Sequence, residues 1–126
     1  EAEWEYAARG GSENRTYSWG ESAPSGKLSC YNHRETCPVD AHPAGAFGLL
    51  GMTGNVWEWT ADWYGPEYYE DSPERNPTGP GEGTFRTLRG GGFNHLRDIV
   101  RCALRLNYGP DLRYSVVGFR VVSPGF

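Results

Sequence analysis

The side chains of this 126-residue chain best suited to chemistry are its thiols and imidazoles: Cys30, Cys37 and Cys102, with His33, His42 and His95. A thiolate pair can hold a soft metal or exchange electrons, and an imidazole can move a proton or complete a metal site. No C-x-x-C is present, and no histidine stands at a recognised metal spacing from the cysteines, so no zinc site is expected. Cys30 and Cys37 could close a short loop as a disulfide in an oxidising compartment, with Cys102 left free; three reduced thiols are the expected state. There is no G-x-S-x-G elbow, His-Glu metal motif or phosphate loop. Gly90-Gly91-Gly92 lacks the spacing and opening helix of a dinucleotide fingerprint and reads as close backbone packing.

A second pattern runs from Gly92 to Val117. Arg97, Arg101, Arg105 and Arg113 are set among Phe, His, Leu, Ile, Tyr, Ser and Val that follow neither a helical nor a strand period. The segment contains no Lys, Glu, Gln, Met or Trp, although the rest of the chain uses Glu and Trp freely.

The elements that must position these residues centre on residues 54–64, Gly-Asn-Val-Trp-Glu-Trp-Thr-Ala-Asp-Trp-Tyr. Trp57, Trp59 and Trp63 alternate with Val56, Glu58, Thr60 and Asp62, which predicts a core strand with an indole-bearing apolar face. Gly54 and Asn55 ahead of it predict a turn that needs a positive φ. Residues 1–9 predict a helix with Trp4, Ala7 and Ala8 on one face, no cap residue at its start, and Gly10-Gly11 as its stop. Residues 12–43 and 65–83 read as long loops, 85–89 as a short strand, and 118–122 as a terminal strand.

Composition limits the alternatives. Eighteen glycines, five tryptophans and eight tyrosines beside modest aliphatic content suit one loop-rich domain pinned by aromatic clusters. A net charge of −4 argues against a phosphate-backbone binder, so no nucleic-acid partner is expected. No run approaches the ~18 apolar residues of a membrane-spanning helix, so no membrane insertion is expected.

The blocks Glu1-Ala2-Glu3-Trp4-Glu5-Tyr6-Ala7-Ala8-Arg9-Gly10-Gly11, Phe47-Gly48-Leu49, Met52-Thr53-Gly54-Asn55-Val56-Trp57-Glu58-Trp59, Leu88-Arg89-Gly90-Gly91 and Gly118-Phe119-Arg120 resemble the signature blocks of the formylglycine-generating-enzyme family, in the family's order. The resemblance implies an α+β, C-type-lectin-like fold, loop-rich with short antiparallel strands. It places residues 1–126 as the C-terminal portion of one such domain, and the uncapped helix start fits that expectation. Within the family, the chain resembles the variable proteins of diversity-generating retroelements, in which the segment between Arg-Gly-Gly and Gly-Phe-Arg is mutagenised at adenines. Asn codons of the template then become codons ending in a pyrimidine, which exclude the five residue types missing here.

Laid on this chain, that resemblance implies a variable segment over residues 93–116. Its diversified, ligand-binding positions are Phe93, Asn94, His95, Leu96, Ile99, Leu104, Leu106, Asn107, Tyr108, Gly109, Leu112, Tyr114, Ser115 and Val116. The fixed positions are Arg97, Asp98, Val100, Arg101, Cys102, Ala103, Arg105, Pro110, Asp111, Arg113 and Val117. Positions that vary freely should be exposed, whereas Arg101, Arg105 and Arg113 should turn inward. The oxidases of the family need two cysteines in this loop to bind copper(I), and His95 and Val100 stand at those positions. Catalytic residues are therefore not expected. A structural calcium site is implied at Gly54, Val56 and Glu58, with Gly51 in place of the usual Asn or Asp, and a second at Asn32 and Asp40. No other cofactor is required. The expected function is capture of a protein or surface ligand; the alternatives are a formylglycine-generating oxidase and a sensor domain of a signalling protein.

Overall fold

In the computed structural model, residues 1–123 are described. Helix α1 (Ala2–Ala8) buries Trp4 and Ala8, begins without a side-chain cap and is followed by Gly10-Gly11, as its sequence predicts. Strand β1 (Trp57–Trp63) is the organising element. It is entered through Gly54 at φ +87° and Asn55 at φ +67°. Only glycine fits position 54, because a Cβ there would lie 2.7 Å from the Cys30 carbonyl oxygen.

Strand β2 (Arg86–Arg89) pairs antiparallel with β1, and β3 (Arg105–Tyr108) pairs antiparallel with β2. Strand β4 (Val117–Gly118) pairs with β1 in parallel, which gives the order β3-β2-β1-β4. Two expectations are corrected here. The terminal strand is two residues long rather than spanning 118–122, and the sheet is mixed rather than wholly antiparallel. The reason lies in Arg120, which turns back to donate to the Leu50 and Gly51 carbonyls, at 3.0 and 3.2 Å, and so takes the backbone off the ladder after Gly118.

Two apolar clusters flank the sheet. Trp57, Leu88, Cys30, Phe93 and Val116 form the larger, supported by Trp59, Ile99, Leu104 and Leu106. Trp4, Ala8, Met52 and Cys102 form the smaller. The triple glycine packs closely, as predicted: a Cβ on Gly90 would stand 2.9 Å from the Met52 carbonyl oxygen.

The alternation in β1 has a second meaning that its sequence does not reveal. Trp57 is buried, yet Glu58 and Asp62 are buried as well, whereas Trp59 and Trp63 are half-buried. Both faces of this strand are therefore covered, one by hydrocarbon and one by charge. Glu58 accepts from the Trp4 indole at 2.7 Å and from Arg120 at 2.6 and 2.7 Å. Asp62 accepts from the Glu1 backbone nitrogen.

Candidate functional site

Arg89, wholly buried at the end of β2, fixes the base of the site. Its guanidinium pairs with Glu1 at 3.1 Å and with Glu5, and donates to the Cys102 carbonyl at 2.9 Å. Arg105 on β3 also reaches Glu1, with one bond at 3.0 Å, and donates to the Gly65 carbonyl at 3.1 Å. Burial would lower the Arg105 pKa, but its bonds to the Glu1 carboxylate outweigh that and raise it. Charged groups in a buried network are tolerable only when each has its counter-charge, which is why the acidic helix and the Arg-Gly-Gly block must occur together. The phenol of Tyr69, whose ring lies under Arg105, is pushed up to about 12 by burial and by the nearby Glu1 and Asp62 carboxylates.

From this base the irregular segment departs and returns. Phe93 N–H donates to the Asn55 carbonyl at 2.7 Å, and the Val116 carbonyl accepts from Trp57 N–H at 2.8 Å. The two ends of the segment are thus pinned two residues apart at the start of β1. Asn94 and His95 therefore leave the scaffold, and Tyr114 and Ser115 return to it, at the start of β1. Tyr108 is not brought there: it pairs with Arg86 at the far end of β2, opposite the Trp63 end of β1.

Exposure divides the diversified positions. Asn94, Leu96, Tyr108, Tyr114 and Ser115 are exposed; His95, Ile99, Leu104, Leu106, Asn107, Gly109 and Leu112 are half-buried. Phe93 and Val116 are core residues, at 8% and 2% exposure, and so depart from the expectation that such positions lie on the surface. Each is an end anchor whose backbone pins the segment to β1, so its side chain necessarily points into the Trp57 cluster. The fixed arginines also divide. Arg105 turns inward as expected, but Arg101 and Arg113 are exposed, and Arg101 only closes a local bond to the Asp98 carbonyl. The inward role falls to Arg89, which lies outside the segment and whose acidic partners are more than eighty residues away in sequence, so no periodicity could reveal it.

The cysteines differ from expectation. Cys30 and Cys37 are joined in a disulfide with their Cα atoms 6.0 Å apart, rather than standing as separate thiols. Asn55, held at positive φ, directs this pairing: its N–H donates to the Cys30 carbonyl at 2.8 Å and its side-chain oxygen accepts from Cys37 N–H at 3.0 Å. Cys102 is a free, buried thiol, and burial pushes its pKa up to about 12. Such a thiol is a poor nucleophile and a poor metal ligand at neutral pH. His95 stacks edge-on against Trp57 with ring centroids 5.9 Å apart. The Trp57 indole N–H and the His95 Nδ1 are buried and have no hydrogen-bond partner among the described residues.

The implied calcium ligands are also in place for other work. Both Glu58 oxygens already carry donors from Trp4 and Arg120, a set that repels a cation rather than inviting one. Asn32 and Asp40 are both exposed.

Known proteins similar to this chain share its family and fold. The family model of the sulfatase-modifying factor enzyme 1-like domain matches residues 1–124. The formylglycine-generating enzyme of Streptomyces coelicolor is 41% identical over 95% of the chain and 44% of its own length. The serine/threonine-protein kinase pkn1 of Chlamydia caviae is 42% identical over 95% of the chain and 20% of its own length. Among solved structures, Treponema denticola variable protein 1 superposes with a TM-score of 0.85 at 32% identity, over 94% of this chain and 44% of that one. The chain therefore spans less than half the length of each of these relatives. On the match along residues 1–124 and the shared architecture, the chain belongs to the sulfatase-modifying factor enzyme 1-like, or formylglycine-generating-enzyme, domain family.

Proposed function

We propose that this domain is a ligand-binding module of the variable-protein type, in which residues 93–116 display a diversified surface on a fixed scaffold. The observation that supports it most is the division of labour around β1. The segment's ends are bonded to Asn55 and Trp57, while Asn94, Leu96, Tyr114 and Ser115 between those anchors are exposed. Tyrosines supply contact area at little entropic cost, and Asn, Ser and His supply adaptable hydrogen bonds, a composition suited to a protein or surface ligand. The Trp57 indole and His95 ring, buried without hydrogen-bond partners among the described residues, add a polar pair at the start of the segment. The structural likeness to Treponema denticola variable protein 1 is consistent with this reading.

Oxidase chemistry is the less favoured reading. Its two copper positions hold His95 and Val100, and the remaining thiols are either paired or buried. Copper(I) reconstitution and incubation with a cysteine-containing sulfatase peptide should give no aldehyde. Sequencing the gene's neighbourhood should find a second copy of the 93–116 coding stretch with Asn codons at the diversified positions, beside a reverse transcriptase. Aldehyde formation, with no such repeat, would overturn the proposal in favour of the enzyme. The likeness to pkn1 supports a further reading, a non-catalytic sensor domain within a longer signalling protein, and a kinase domain encoded in the same chain would favour it.

A further inference from the structure

Cys30, His33 and Cys37 lie outside the segment just described, yet their ligand atoms all fall within 4.8 Å of one another. The linear spacing, two residues and then three, matches no recognised metal motif, and the sequence alone predicted no zinc site. The fold creates the group. Asn32 N–H donates to the His95 carbonyl at 2.8 Å and His33 N–H to the Phe93 carbonyl at 2.7 Å, while Asn55 holds both cysteine backbones. The loop is thereby fixed from both sides, and the His33 ring is aimed back at the sulfurs. Cys37 Sγ stands 3.6 Å from His33 Nδ1. Two ligands of a tetrahedral zinc, with Zn–S of about 2.3 Å and Zn–N of about 2.0 Å, stand about 3.5 Å apart. The imidazole thus already stands at ligand distance from one of the two sulfurs.

The geometry points to a redox-gated zinc site at Cys30, His33 and Cys37, closed as a disulfide and open to Zn²⁺ as a dithiol. Opening needs a thiol reductant. Two RSH molecules reduce the Cys30–Cys37 bond: the S–S bond breaks, each cysteine sulfur gains a hydrogen, and the reductant leaves as RSSR. Zn²⁺ then displaces both thiol protons to solvent and forms two Zn–S bonds, with the neutral His33 Nδ1 donating its lone pair. Three protein ligands leave a fourth position. It faces solvent, because His33 is exposed and Cys37 half-buried, while Cys30 anchors the set in the core beside Trp57. Since the loop is bonded to the carbonyls of Phe93 and His95, the same redox event acts at the start of the 93–116 segment. Cys102, buried among Trp4, Ala8 and Met52, takes no part.

The test uses the full-length protein, oxidised or reduced with a dithiol, titrated with Zn²⁺ against a chromophoric chelator and with Co²⁺ to read the thiolate charge-transfer band. Expected are one Zn²⁺ bound per reduced chain, none per oxidised chain, and slower reoxidation of the zinc-loaded form. His33→Ala, a change on an exposed loop that leaves the fold intact, should weaken zinc by about 10-fold or more, at least what loss of a ligand's supporting partner costs. Cobalt should then lose its tetrahedral band. Equal zinc binding by oxidised and reduced protein, or by His33→Ala and the parent protein, would overturn the proposal.

Discussion

Two regions meet at β1 and obey opposite rules. In the network behind it, Glu1, Glu5, Arg89, Arg105, Glu58 and Arg120 each hold at least one charged partner, and Arg89 is fully enclosed. In the segment between Phe93 and Val116, commitment is concentrated at the ends and in Ile99, Val100, Cys102, Leu104, Arg105 and Leu106, while Asn94, Leu96, Tyr108, Tyr114 and Ser115 face water. The first region spends its side chains on itself. The second keeps several free. The contrast teaches that an irregular, tolerant surface requires a neighbouring region with almost no tolerance, since exposed side chains add little to a stability of only about 5–15 kcal/mol.

The comparison can be broken or sharpened by substitution. The largest effect belongs to Arg89→Met, which removes the fully buried guanidinium shared by Glu1 and Glu5, leaving them only Arg105 and Arg9, and should lower stability by about 3 kcal/mol in chemical denaturation. A loss below about 1 kcal/mol would show that the network is not what holds the base. Phe93→Ala should cost about 3 kcal/mol through the cavity left against Trp57 and Leu88, which would establish that this diversified position answers to the core.

Alkaline conditions give a smaller loss with a definite sign. Cys102, fully buried, has its folded-state pKa raised from 9 to about 12; Tyr69 is raised from 10 to about 12 but is 40% exposed, so water screens its share of the effect. Between about pH 9 and 12 the unfolded chain releases these protons while the folded chain keeps them. Their contribution is therefore complete below pH 9 and is lost as pH rises toward 12. Denaturation midpoints should fall over that range, and Cys102→Ser should flatten the fall; an unchanged slope in the variant would remove Cys102 as a cause.

Arg113→Ala and Tyr114→Ser, both at exposed positions, should stay within about 0.5 kcal/mol of the parent protein. The smallest effect concerns calcium: with Glu58 engaged by Arg120 and Trp4, millimolar Ca²⁺ should leave the melting temperature unchanged, and a rise would mean that Arg120 yields its place.

Much of this was legible in the residues, and the failures have physical causes. The turn at Gly54-Asn55, the uncapped helix and the close-packed glycines rest on local sterics, which a sequence displays directly. Glu58 and Asp62 look like the wet side of a strand because their partners, Arg120, Trp4 and the Glu1 nitrogen, lie more than fifty residues away. The disulfide and the His33 juxtaposition depend on the Asn55 side chain gathering a loop, a tertiary effect with no linear spacing. Arg101 and Arg113 carry the same charge as Arg105, but only Arg105 stands on a strand facing Glu1.

The central claim is that tolerance divides by exposure within one segment. It is tested most directly by two displayed libraries of the full-length protein, scored for the fraction of members that resist protease. One randomises Asn94, Leu96, Tyr108, Tyr114 and Ser115; the other randomises Phe93, Val100, Cys102 and Val116. The account predicts that most of the first library stays folded and that the second is almost wholly degraded. Comparable survival in the two, or collapse of the first, would contradict it.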